Sequence, residues 1–270
     1  MFCLTLEPNH YKFISSLGYI PVGLGAKDYN EKWFSDKSGE SISKKNTNYG
    51  EYTFHYWIWK NHLNKLGNDW LGFCQYRKFF SLEQYQNDNI NINTLTNKVL
   101  KEIPAEYDKF ESILVEPMFT NRMKLMKFLK KGLGVILKKP SLIVNKSKRN
   151  INFHFDLMHG ENNLKKAIDL LDDKNREDFR EFVNNKVSFN PHNMFICRSK
   201  DILKNYYDDV FPWLEKCEDI FGFENLKGFG KIRIYGFLAE RFMSYWFQKN
   251  TKHTTLPIIF YDIRNDLNNL

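Results

Sequence analysis

The sequence predicts an α/β fold, and three observations carry that reading. Short apolar runs end in polar or glycine-containing loops: Phe2 to Leu6 is closed by Glu7-Pro8-Asn9-His10, and Tyr19 to Leu24 by Gly25. Trp70 to Tyr76 is a compact apolar run that suits a buried strand and leads into Arg77, Lys78 and Phe80. Between such runs lie segments of helical period. In Tyr49 to Leu66, Tyr52, Tyr56, Trp59, Leu63 and Leu66 recur at helical intervals, and Glu51 sits in the first turn, where the helix dipole favours an anion.

The remaining elements obey the same logic. Asp36-Lys-Ser-Gly39 is turn chemistry, with a polar loop from there to Asn48, and the Asn-rich residues 86 to 97 read as loop. Phe110 to Val115 reads as a strand ending at Glu116-Pro117, Leu157 to Asn185 as two surface helices broken near Asp172-Asp173, and Val187 to Cys197 as a strand with its N-terminal turn. Leu203 to Ile220 is helical again. Tyr235 to Gln248 carries a buried aromatic helix face that takes Glu240 and Arg241 into the interior or to a cleft.

Composition narrows the class. In 270 residues, 24 Phe, 14 Tyr and 6 Trp supply enough apolar area for a continuous core, so one compact unit is expected. No apolar run approaches the roughly 20 residues that span a bilayer, and Met1 to Pro8 is too short for a secretory signal, so a cytoplasmic location is expected. Cys3, Cys74, Cys197 and Cys217 are scattered in apolar contexts and read as buried free thiols. The net charge of +8 is concentrated: residues 122 to 149 hold Arg122, Lys124, Lys127, Lys130, Lys131, Lys138, Lys139, Lys146, Lys148 and Arg149 without one acidic residue.

Several chemistries lack their signatures. The seven histidines show no H-x-x-x-H and no cysteine partner at ligand spacing, so no metal ligands are assigned, and neither a Walker loop nor G-x-G-x-x-G is present. No Asp-x-Asp stands at a strand end to hold a divalent ion against a diphosphate; Gln75-Tyr-Arg-Lys78 stands there instead. Arg77 and Lys78 could supply the positive charge in place of a metal, the other reading being surface cations beside a core strand. A carboxylate in an aromatic helix, such as Glu240 beside Arg241, must be ion-paired or have work as a proton acceptor.

The strings Tyr19-Ile-Pro-Val-Gly23, Asp36-Lys-Ser-Gly-Glu-Ser-Ile-Ser-Lys-Lys-Asn46, Tyr49-Gly-Glu51 running into Tyr56-Trp-Ile-Trp-Lys-Asn61, and Leu71-Gly-Phe-Cys-Gln-Tyr-Arg-Lys-Phe-Phe80 occur in one order. His159 with Leu164, Asn193-Met-Phe-Ile196 and Arg233-Ile-Tyr-Gly-Phe-Leu-Ala-Glu-Arg241 come after them. Together, over roughly residues 10 to 247, they resemble a bacterial glycosyltransferase family long catalogued as a domain of unknown function. It is found in capsule and O-antigen gene clusters and includes galactofuranosyltransferases.

The resemblance implies a single GT-A-like domain over residues 1–270, with a central mixed sheet flanked by helices; the family is usually shorter between Pro117 and His159, so the basic amphipathic stretch at about 118–150 is an insertion. It implies inverting transfer of a sugar, galactofuranose or galactose, from a UDP-sugar to a growing capsule, O-antigen or lipopolysaccharide glycan carried on lipid. Pro8, Asn9 and His10 would face the base, Asp36, Ser43 and Asn46 would line the donor site, and Tyr76, Arg77 and Lys78 would sit by the diphosphate. Glu240 is the first candidate for the base that deprotonates the acceptor and Glu51 the second, while Asn193, Arg233 and Arg241 line or support the cleft. Gln75 departs from the family, which usually has His before Tyr-Arg.

The insertion mixes Met123, Leu125, Met126, Phe128 and Leu129 with its cations, the composition of a helix lying in an anionic membrane interface, and Lys124, Lys127, Lys130 and Lys131 are its candidate contacts to membrane or acceptor. A solvated helix with one buried face is the other reading. Two rival functions stand beside transfer: a non-catalytic glycan-binding protein, and a nucleic-acid-binding module built on the basic stretch. The latter leaves the N-terminal motifs unexplained, so no nucleic-acid partner is expected.

Overall fold

A computed structural model of the chain describes residues 1–85, 90–122 and 145–262. Its strands are β1 (Phe2–Thr5), β2 (Ile20–Gly23), β3 (Phe34–Ser35), β4 (Leu71–Gln75), β5 (Lys78–Phe80), β6 (Ser112–Val115), β7 (Met118–Phe119), β8 (Ser188–Phe189), β9 (Phe195–Cys197), β10 (His253–Leu256) and β11 (Ile258–Phe260). The main sheet runs β10-β6-β9-β4-β1-β2-β3, and β7 pairs β8 in a separate ribbon. β3, β2, β1 and β4 are parallel, β6 and β10 are parallel, and β9 lies antiparallel between β4 and β6. β5 folds back antiparallel on β4 and pairs antiparallel with β11.

β1 and β6 are buried at every position, which is why their sequences run apolar without alternation. Successive side chains serve opposite faces. Phe73 and Leu114 join the cluster formed with the helices Tyr52–Trp57, Lys200–Phe221 and Ile234–Asn250, while Cys74 and Ile113 join Phe13, Leu17, Tyr19 and Phe79 on the other side. The α/β class and the mixed sheet flanked by helices are as the sequence predicts, and all four cysteines are buried and free.

This topology fixes where a ligand can sit. From β1 the chain passes to β2 and β3 on one side, then returns to β4 on the other, so the connections diverge between β1 and β4. Divergence opens a crevice outside the carboxyl ends of those two strands, at Thr5 and Gln75.

Local chemistry corrects several boundaries. The Asn-rich stretch is not all loop, because Asn91 accepts a hydrogen bond from the Thr94 N–H (2.9 Å) and caps the helix Ile92–Lys98. Tyr49–Leu66 is broken at Gly50, whose φ of +59° ends the short helix Asn46–Tyr49 before Tyr52–Trp57 begins. Leu157–Asn185 falls within three helices, Ile151–His159, Asn163–Ile168 and Asp173–Asn185, with Asp172 capping the last through the Asn175 N–H (3.0 Å). Val187–Cys197 is two strands, β8 and β9, joined by a turn in which His192 and Asn193 have φ of 80° and 53°. Lys124, Lys127, Lys130 and Lys131 lie outside the described residues.

Among the described residues no helix is long and apolar enough to cross a membrane.

Candidate functional site

A cavity of about 370 Å³ occupies the crevice between β1 and β4. The end of β1 and the residue after it contribute Leu4, Thr5 and Leu6, and the end of β4 with the turn into β5 contributes Gln75, Tyr76, Arg77 and Lys78. Asn46, Gly50 and Glu51 line it from the segment before Tyr52–Trp57, His192 and Asn193 from the β8–β9 turn, and Arg233, Phe237 and Glu240 from the C-terminal helical segment. Phe229, 71% exposed, stands at its edge, with the Arg233 guanidinium 5.7 Å from its ring centre.

The charged groups form one network. Glu51 accepts from Arg233 Nη2 (3.1 Å) and from Gln75 Nε2 (2.9 Å). Gln75 Nε2 also donates to the His192 carbonyl (2.7 Å), and its Oε1 accepts from Lys78 Nζ (3.0 Å). The amide therefore joins a carboxylate, a backbone turn and an ammonium, which a histidine could not do through one donor and one acceptor alone. Burial pushes the Lys78 ammonium below its ordinary value, against the pull of Glu51 and Glu240. Gly50 suits its place because its φ of +59° and ψ of −130° strain any residue with a side chain, and a Cβ there would also displace the Arg233 guanidinium.

Glu240 is held from two sides. Its Oε1 accepts the His192 N–H (2.5 Å), and its Oε2 pairs with Arg241 Nη1. Arg241 is fully buried and does not line the cavity; its guanidinium lies 4.2 Å from the Phe189 ring centre, with Nη2 3.2 Å from His154 Nδ1 and 3.4 Å from His159 Nε2. A buried guanidinium keeps its charge, so Glu240 is the anion that compensates it. Glu240 itself lines the cavity and is held there by both contacts.

Sequence reasoning did not single out His192, yet it is where the network closes. Its left-handed backbone turns the N–H toward Glu240 and the carbonyl toward Gln75. Burial, with Lys78 nearby, lowers its imidazole pKa to about 3, so the ring is neutral at physiological pH. Asn-Pro-His-Asn at 190 to 193, turn residues between Phe189 and the apolar run Met194-Phe195-Ile196, was the available signal. Asn193 donates Nδ2 to the Gly236 carbonyl (3.2 Å), and its buried Oδ1 has no hydrogen-bond partner among the described residues, leaving an acceptor for a ligand.

Other sequence candidates fall elsewhere. Pro8 and Asn9 are exposed and outside the cavity lining, in the first turn of the Pro8–His10 helix. His10 is buried behind the lining, with Nδ1 2.7 Å from Thr5 Oγ1 and its ring 5.0 Å from that of Tyr76. It supports Tyr76 from behind. Ser43 begins a short helical turn and does not line the cavity.

Asp36 is also behind the wall. Its carboxylate accepts from the Gly25 N–H (3.2 Å), fixing the loop whose Leu24 lines the cavity. Burial raises its pKa from 3.8 to about 6. The folded state therefore binds this proton more tightly than the unfolded chain. Its contribution to stability is full below pH 4 and is lost as pH rises through 6, on the order of 2–3 kcal/mol in all. Asp36→Asn keeps an acceptor for Gly25 and removes the charge. Relative to wild type, it should gain stability between pH 5 and 7.5 in urea unfolding; a variant less stable at pH 7.5 would contradict this assignment.

The chain is an α/β protein whose central mixed sheet is flanked by helices and carries a charged cavity where the connections of β1 and β4 diverge. The chain belongs to the family described as a domain of unknown function, DUF4422, which matches residues 4–251. This is the family that the ordered motifs resemble. Among solved structures, the apo structure of the WbbM bifunctional glycosyltransferase is similar in fold, with a TM-score of 0.66 and 23% identity over 96% of this chain. The chain spans 44% of that protein's length. No curated protein matches it.

Proposed function

We propose that the chain is a glycosyltransferase that takes a sugar from a nucleotide-diphosphate donor, with a UDP-linked galactose or galactofuranose the favoured case. The observation that supports this most is the gathering of Arg77, Lys78 and Arg233 around two carboxylates, Glu51 and Glu240, in the crevice between β1 and β4. Three cations in one cavity suit a diphosphate, because guanidinium forks bind its oxygens and an ammonium adds charge at a point. Lys78 and Arg233 would stabilise the charge that develops as the nucleotide leaves.

In this reading the acceptor hydroxyl oxygen attacks the anomeric carbon, the bond from that carbon to the diphosphate breaks, and the hydroxyl proton passes to Glu240. Inversion at the anomeric carbon results from a single displacement. Glu51 orients Arg233 and stands second as base. The likeness to WbbM adds a fold on which glycosyl transfer occurs, and the acceptor is proposed to be a lipid-linked surface glycan reached at an anionic membrane through the basic segment that includes Lys124, Lys127, Lys130 and Lys131.

The test is nucleotide release from a panel of UDP-, GDP- and CMP-sugars, with divalent metal and with chelator. The expected result is release of UDP from a galactose donor above the rate without protein. Release from none of the donors, with glycan still bound, would favour a binding module instead.

A further inference from the structure

An acceptor subsite presupposes the proposed activity, since transfer needs a second substrate. A second hollow, of about 330 Å³, opens on the same rim of the sheet, at the carboxyl ends of β6 and β10. His192 lines both hollows. They also share a strand pair, since Phe260 of β11, which lines the second, is the register partner of Lys78 of β5, which lines the first.

Their chemistry differs. The first holds Arg77, Lys78 and Arg233, whereas no Lys or Arg is among the described residues lining the second. It offers instead the Glu116 carboxylate, which accepts from Gln84 Nε2 (3.1 and 3.0 Å), and the ring of Phe260, 43% exposed and set edge-on to His192 at 5.7 Å. Tyr85 and Pro117 are also among the residues that line it. A carboxylate with no Lys or Arg among the described residues lining its hollow repels phosphate, while carboxylate and amide groups beside an aromatic ring bind the hydroxyls and the C–H face of a neutral sugar.

We infer that the hollow between the ends of β6 and β10 is the acceptor subsite, taking a neutral sugar residue with Glu116 and Gln84 on its hydroxyls and Phe260 against its apolar face. The shared His192 wall places that sugar beside the donor cavity and beside Glu240, whose carboxylate the His192 N–H holds.

Methyl β-galactoside and methyl β-glucoside, monitored by saturation-transfer NMR on the full chain with UDP titrated by calorimetry, test the assignment. Wild type should bind at least one glycoside in the presence of UDP. Phe260→Ala and Glu116→Gln should each weaken glycoside binding at least ten-fold, while UDP affinity and melting temperature stay near those of wild type. Glycoside bound by neither form, binding untouched by both substitutions, or displacement of the glycoside by UDP overturns the subsite. Loss of UDP binding in wild type with glycoside binding intact would sink the transferase reading and leave the sugar site standing.

Discussion

Glu240→Gln is expected to lower kcat for sugar transfer by at least about 100-fold, the usual range for removing a general base. Two effects overlap in that variant. Gln keeps an acceptor for the His192 N–H but leaves the Arg241 guanidinium without its counter-charge in a fully buried position. Breaking such a pair from one side costs about 3–5 kcal/mol, so the melting temperature should fall as well. Replacing the pair together separates the causes: Glu240→Gln with Arg241→Met puts an apolar side chain against Phe155 and Phe189 and should recover stability. If kcat stays low while stability returns, Glu240 acts in chemistry. Recovery of both would make Glu240 a structural counter-ion and pass the base to Glu51.

The second large effect is on the donor. Arg233→Ala should weaken UDP binding roughly 10- to 100-fold, the equivalent of about 1.5–3 kcal/mol for a charge-assisted contact. Its guanidinium is half-buried and held by Glu51 beside Gly50, so the loss should fall on affinity with little change in fold. Arg233→Lys should recover part of the affinity, because a lysine restores charge without the planar fork. Unchanged UDP affinity in Arg233→Ala, measured by calorimetry, would remove Arg233 from the donor site.

Much of this was legible in the sequence, for identifiable reasons. The strands announced themselves because parallel strands buried on both faces are apolar throughout, and Arg77 and Lys78 could be placed because charge just after such a run must sit at its carboxyl end. Glu240 was visible as a carboxylate in an aromatic helix. Chain order misleads for His10, which follows the first strand, and Asp36, which belongs to a motif: one packs behind Tyr76 and the other behind the Gly25 loop, a difference of depth that sequence does not encode. His192 escaped because its role lies in its backbone, whose left-handed conformation presents N–H and C=O to two different side chains. β5 and β11 escaped because three-residue strands are defined by their partners more than by their own composition.

Binding of a nucleotide diphosphate in the crevice between β1 and β4, through Arg77, Lys78 and Arg233, is the central claim. A crystal structure of the protein soaked with UDP tests it most directly. Diphosphate oxygens are expected within hydrogen-bonding distance of those three side chains, with Glu240 facing the open end where the sugar would lie. UDP bound at another place on the chain, or with its phosphates turned away from all three cations, would contradict it.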